Sequence, residues 1–332
     1  MRVWRCAVAV LALPALLAAT ARNDENAELF RALGEVHGLS PSQLDSVRAI
    51  FARSGVAGQG NPAVTVHPMG PEECRARVAA HGASYDNPAF AKICGGRYMA
   101  PLYDPANESP EDARACIDQF EFPDIPCAYP VVWIQAREAA EVCTALDKRL
   151  CDAHEWEGAC EGRLLAPDYR FDLARGVDTA TAVKRMREAH NREYGQHKSW
   201  AYGSEYRSGV CATSGEKTAG CDGGNWQGCG SNTFPAGSFP DCVSLLGVYD
   251  LHGNAAEHMN LPLDPSQMAS RGSHTLGVTE MKGSWFIFDR FHAHQDWCRW
   301  RAPFWHGTRV INEHSHHNYH LGFRCCKDVV KP

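Results

Sequence analysis

Fifteen cysteines in 332 residues constrain this chain more than any other feature. What they imply depends on the redox compartment, and the N-terminus speaks to that. Arg2 and Arg5 precede an apolar run from Ala7 to Ala19, and Ala19-Thr20-Ala21 puts small residues at the cleavage positions. This is the pattern of a secretory signal peptide over residues 1–21, cleaved after Ala21. The run is shorter than the roughly 20 residues a membrane span needs, and Pro14 interrupts it, so no spanning segment is expected. No cysteine follows the cleavage position, so no lipid anchor is expected either. Loss of Cys6 takes 15 cysteines to 14, an even number in a chain bound for a secreted or periplasmic location. Up to seven disulfides are the expectation. No C-x-x-C pair occurs, so a structural zinc site or a thioredoxin-type motif has no support.

The mature chain divides by composition. Residues 22–72 read as a helical hairpin and a linker. Leu29, Phe30, Leu33 and Val36 repeat at helical spacing, then Ser40-Pro41-Ser42-Gln43 gives an N-cap, a first-turn proline and a capping-box glutamine. Leu44, Val47, Ile50 and Phe51 supply the second apolar face, and docking on the main domain is its expected role. Gly- and Pro-rich residues 54–72 read as the linker. Residues 73–112 read as an irregular extension, with Cys74 and Cys94 a local staple. From 113 to 328 the pattern is mixed. Cys116-Ile117-Asp118 and Val131-Val132-Trp133-Ile134 are strand-like, and a helix with Ala136, Ala140 and Cys143 on one face follows. Asp152 and Glu155 form a capping box opening a helix through Trp156 and Cys160. Asp178 caps a polar helix over 179–193. Residues 196–245 are rich in Gly, Ser, Asn and Cys, and such a stretch needs disulfides or bound cations to hold it.

Chemistry concentrates at the C-terminal end, Gly283 to Cys326, which holds seven of sixteen histidines and four of nine tryptophans: Trp285, Trp297, Trp300 and Trp305. An H-x-H pair in extended backbone, His292 and His294, puts both rings on one side. His314, His316, His317 and His320 form a second cluster. Neutral imidazole suits copper, iron, zinc or nickel, and His292, His294 and a second-cluster ring such as His316 would make a three-nitrogen site with an open position. Earlier in the chain, Asn254 and Glu257 with the carbonyls around Gly253 gather hard oxygen donors, which calcium prefers. Net charge is −6, from 33 basic against 39 acidic residues, with no long basic run, which argues against nucleic acid as a partner.

Four segments, in order, resemble the formylglycine-generating enzyme / sulfatase-modifying factor family. Pro130 to Cys160 resembles its strand, helix and "RLPTEAEWE" helix, with Arg149, Leu150, Glu155, Trp156 and Glu157 matching. Phe234 to Phe239, running into Gly247 to Glu257, resembles "GLYDMxGNVWEW". Lys282-Gly283-Ser284-Trp285 resembles "GGSW", and Leu321 to Cys325 resembles the closing "GFRC". The resemblance implies an α+β, irregular, loop-rich, C-type-lectin-like domain over 113–328. It also implies calcium at Glu257 and in a second loop at Asn225, and disulfides Cys143–Cys325 and Cys160–Cys298.

The family's oxidases hold copper(I) with two cysteines five residues apart after "GGSW". Here only Cys298 lies in that region; Pro303 stands five residues on and Ala293 five before. Thiolate is what copper(I) selects, so the missing pair matters. Two readings stay open. One is a divergent oxidoreductase using copper or iron in a surface cleft lined by Ser284, His292, His294 and Cys298, with Ser284 and Cys298 the candidate catalytic residues and a peptide, protein or small molecule as substrate. The other is a non-catalytic lectin-like module that binds a peptide or glycan.

Overall fold

In the computed structural model, residues 26–302 and 308–329 are described; the signal-peptide reading over 1–21, Pro303 and Trp305 fall outside them. Helices α1 (26–37) and α2 (Pro41–Ser54) form the expected hairpin. Ser40 Oγ accepts from the Gln43 N–H while the Gln43 side chain accepts from the Ser40 N–H at 3.0 Å, which closes the capping box. The apolar stripes interlock: Leu33 and Val47 are fully buried, and Phe30 meets Phe51 edge-on at 5.3 Å. These side chains share one core with Val131, Ile134, Ala139 and Val142, so the hairpin is docked on the main domain through α5 (Ala136–Ala145). The stretch read as a linker is pinned as well. Asn61 Nδ2 donates to the Trp226 carbonyl at 2.8 Å, and His67 stacks on Tyr129 at 3.5 Å.

Residues 73–112 are more regular than their composition signals, with α3 (Pro71–His81), α4 (Pro88–Cys94) and β1 (Met99–Leu102). The Cys74–Cys94 staple does not form. Cys74 faces Cys127 and Cys94 faces Cys116, so both bridges tie the extension outward to the main domain. Spacing alone does not fix connectivity.

Two small sheets carry the domain. The first runs β1–β2–β7–β3, with β2 Ala115–Asp118, β3 Arg149–Leu150 and β7 Cys325–Asp328, all antiparallel. The second runs β5–β4–β6. There β4 (Ala256–Leu261) lies antiparallel to β5 (Val278–Lys282) and parallel to β6 (Leu321–Phe323). Val131 to Ile134 is not a strand: Val132 bridges only Gly58, and Trp133 takes φ 58°. That run is continuously apolar because it is buried on all sides.

Helix α6 (Ala153–Glu161) is buried along nearly its whole length. Arg149 grips Glu155 through two bonds of 2.7 Å, and Glu155 accepts from the Asp152 N–H at 2.8 Å. The Asp152 carboxylate accepts from Asn260, Ala269 and Ser270, which joins the helix to β4 and its following loop. Helix α7 (Thr179–Tyr194), capped by Asp178, matches its expected span to one residue. Behind α6 lies a buried ion network: Glu157 meets Lys282 and Arg301 at 3.0 Å each, and Arg187 meets Glu280 at 2.7 Å. All fourteen described cysteines are in seven disulfides.

Candidate functional site

Two turns converge on α6 and place the residues of interest. At Gly253 a Cβ would run into the Ala212 carbonyl, and the chain there takes positive φ at both Gly253 (76°) and Asn254 (53°). Ser284, after the positive-φ Gly283, points its Oγ at this turn and accepts from the Gly253 N–H at 2.9 Å. The same hydroxyl donates to Asp296 Oδ2 at 3.1 Å. Ser284 is fully buried, so it is a brace between two turns and not an exposed nucleophile.

Behind Ser284 stands a residue that sequence reasoning passed over. His252 is fully buried, and its Nε2 accepts from the Ala201 N–H at 3.0 Å. That leaves the proton on Nδ1, which faces Asp296 Oδ2 at 3.6 Å. Burial alone would raise the Asp296 carboxyl; the facing His252 imidazole, with bonds from Trp200 Nε1 and Ser284, outweighs it and holds the group below the usual carboxylate range. The aspartate sits between serine and histidine, so the imidazole does not touch the serine hydroxyl and the three groups do not form a nucleophile–histidine–carboxylate relay. His252 Nε2 also lies 3.3 Å from Cys160 Sγ and 4.0 Å from Cys298 Sγ. The three groups lie together, but the two sulfurs are bonded to each other. Cys298 therefore has no thiol to offer as catalyst or copper ligand. Cys143–Cys325 ties β7 to α5, and Cys151–Cys326 ties it to the residue after β3.

The oxygen-donor residues are engaged elsewhere. Both Glu257 oxygens accept from Arg324, at 2.6 and 2.7 Å, and Oε2 also accepts from Trp156 Nε1 at 3.1 Å. The cation facing Glu257 is thus a guanidinium. Asn254 accepts from the Phe234 N–H and donates to Glu121, each at 2.8 Å. Asn225 closes its own loop, accepting from Gly228 at 2.7 Å and donating to the Asp222 carbonyl at 2.8 Å inside the Cys221–Cys229 ring. Covalent closure does there what an ion would do. The polar groups of these side chains are already held by protein partners, so they do not fit a calcium role. Close by, burial pushes Glu121 well above its usual range and Asp250 up to about 7, with Glu257 adding to both.

The histidines divide. His292 is exposed, its ring edge-on to Phe288 at 4.6 Å. His294 turns inward, stacked on Trp300 at 4.8 Å and tilted against Trp285 at 4.7 Å. His316 is exposed at the next loop, with its ring nitrogen 3.5 Å from Asn318 Nδ2. Among the described residues, the groups of three or more ligand atoms within 4.8 Å of one another are Cys160–His252–Cys298 and Glu157–Asp168–His190. The expected trio of His292, His294 and His316 is not gathered, because alternate residues of the H-x-H turn face solvent and core. The second group is already balanced by Lys282, Arg299 and Arg301. His258 is buried and donates from Nε2 to the Ile134 carbonyl at 3.0 Å.

A solved structure, "Crystal Structure of CarF", is similar over 79% of this chain and 84% of that one, at 15% identity and a TM-score of 0.27, a superposition too loose to transfer any feature. No curated protein matches the chain. Residues 108–329 match the model of the sulfatase-modifying factor enzyme 1-like domain, about two-thirds of the chain. The protein belongs to the sulfatase-modifying factor enzyme 1-like family.

Proposed function

We propose that this chain is a non-catalytic binding module: a formylglycine-generating-enzyme-type domain, held by disulfides for life outside the cytoplasm, that takes a peptide or glycan at the aromatic face around His292. What supports the reading is the state of Cys298. It is the lone cysteine in the region after Trp285, and its sulfur is bonded to Cys160 with neither residue exposed. Copper(I) chemistry of the family's kind needs thiolates, and every described cysteine is half of a bridge. A histidine-based oxidoreductase would need converging ring nitrogens, and the described imidazoles do not converge in threes. The face that remains is suited to holding rather than reacting. Phe291 is 59% exposed, His292 and Ala293 are exposed beside it, and Trp300 is partly open behind them. Stacked rings of this kind bind flat or apolar groups without reorganising.

The test pairs activity with binding. Oxygen uptake is followed with cysteine-containing peptides and added copper, and peptide and glycan arrays are probed with the oxidised protein. The reading expects no copper-dependent uptake and an array signal that falls on Phe291→Ala. Copper-dependent uptake of oxygen in step with loss of peptide thiol would overturn it.

A further inference from the structure

The loop that follows α7 walls an open cleft of about 630 Å³, a size typical of small-molecule sites. Two partly exposed aromatic rings line it, Trp200 and Tyr206. Their centroids are 6.0 Å apart and their planes 62°, which makes a corner. Trp200 opens a tight turn, closed by its N–H on the Gly203 carbonyl at 2.7 Å and by the return bond at 3.0 Å.

Both rings are tied by their polar ends, away from the cleft. Trp200 Nε1 donates to Asp296, which is buried, at 2.9 Å. The Tyr206 hydroxyl donates to Asp289 at 2.5 Å, and Asp289 is fixed in turn by Ser208 at 2.8 Å and Thr213 at 2.7 Å. Partly exposed Trp and Tyr ordinarily do the reverse, burying the ring and leaving the N–H or O–H in water. Here the hydrogen-bonding ends are spent inward and ring surface is left at the cleft. Rings held this firmly lose little freedom when a ligand stacks on them.

The rim decides which ligand. Gln196, Lys198, Ser204 and Glu205 stand exposed around the rings and supply both donors and acceptors. The fixed charges, Lys198 and Glu205, cancel, so the cleft selects neither an anion nor a cation. Among the described residues no aliphatic side chain lines it, so nothing there seats an aliphatic peptide side chain. A neutral sugar meets both conditions. Its C–H face is slightly positive against the negative π face of an aromatic ring, and its hydroxyls donate and accept alike. Tyr206 also meets Phe288 at 6.0 Å and His292 at 6.3 Å, so the corner runs on into the aromatic face.

We infer that this cleft is a subsite for a neutral hexose, stacked in the Trp200–Tyr206 corner with its hydroxyls bonded by Gln196, Ser204 and Glu205. The inference rests on the binding-module reading and narrows its ligand to a glycan whose further units extend toward Phe291.

Oxidised full-length protein is titrated calorimetrically with cellotetraose, maltotetraose and mannotetraose and with the corresponding disaccharides, while tryptophan emission is recorded. The expected result is saturable binding within at least one series, with a change in emission. Tyr206→Ala weakens that binding by more than about 10-fold, and Tyr206→Phe restores most of the loss. Gln196→Ala and Glu205→Gln each weaken it a few-fold. Phe291→Ala weakens the tetraose more than the disaccharide. Thermal unfolding of each variant without sugar confirms that it is folded, and Gln196→Ala keeps the test decisive should Tyr206→Ala not fold. No saturable binding of any of these sugars, or binding undiminished in both Tyr206→Ala and Gln196→Ala, overturns the inference. Peptide binding that depends on Phe291, without sugar binding, overturns it and leaves the binding-module reading standing. Copper-dependent oxygen uptake overturns that reading, whereas sugar binding lost in Tyr206→Ala still supports the subsite.

Discussion

Replacing both halves of the Cys160–Cys298 bridge with alanine is predicted to lower stability by about 5 kcal/mol. Taken alone, a cross-link spanning 138 residues removes about 5 kcal/mol of unfolded-state entropy. This chain is not cross-linked there alone. Cys151–Cys326 already joins the flanks, so the remaining loop runs nine residues from Cys151 to Cys160 and 28 from Cys298 to Cys326, 37 in all. A loop of that size gives about 4 kcal/mol in the same model. Both residues are fully buried against His252, and the void left by two sulfurs adds about 1 kcal/mol. With a guanidinium slope of about 5 kcal/mol per molar, upper-range for a chain this long, the midpoint falls by about 1 M under non-reducing conditions. A shift under about 0.2 M, with parent and variant both folded, would refute the reasoning, because it would mean that Cys160 and Cys298 are not joined in the native protein.

Further outcomes follow from the buried charges. Burial alone would raise Glu157, but Arg301 and Lys282 outweigh it and bring it from 4.5 to about 2. Its stabilisation is complete above pH 4.5 and is lost as pH falls toward 2, so Glu157→Gln flattens the acid limb of a denaturation curve and costs about 3–5 kcal/mol at neutral pH by stranding two cations. Asp250 behaves oppositely: its carboxyl is raised from 3.8 to about 7, so the folded state loses stability as pH rises from about 4 to 7 and levels off above. Asp250→Asn removes that decline, and the gap between variant and parent melting temperatures widens in the variant's favour from pH 5 to pH 8. Arg324→Met leaves Glu257 facing no cation and strips the Asp118, Gln119 and Tyr249 carbonyls of a donor; calorimetry is expected to find a loss above about 4 kcal/mol or no folded protein.

Local capping chemistry was fully legible, because Ser40, Asp152 and Asp178 act within three residues of themselves. The family segments located α6, the Gly253 turn and the closing strands, and the two bridges they implied, Cys143–Cys325 and Cys160–Cys298, are those the structure holds. Strands β4 and β5 were hidden because their inward positions include Glu257, Glu280 and Lys282, each buried and each paired across the fold with a partner far away in sequence. His252 gave no signal of its own; what marks it is Asp296 on one side and two sulfurs on the other, 44 and 46 or more residues distant. The H-x-H pair misled for the opposite reason. Extended backbone would have put His292 and His294 on one side, but the turn after Phe288 sends one ring to solvent and the other onto Trp300.

The most direct test of the central claim is a thiol count by alkylation of the native chain, denatured without reductant, followed by mass mapping of its bridged peptides. The account predicts no alkylated cysteine among the fourteen described and a Cys160–Cys298 linked pair. An alkylated Cys298, above all one protected by copper(I), would contradict it and return the protein to thiolate chemistry.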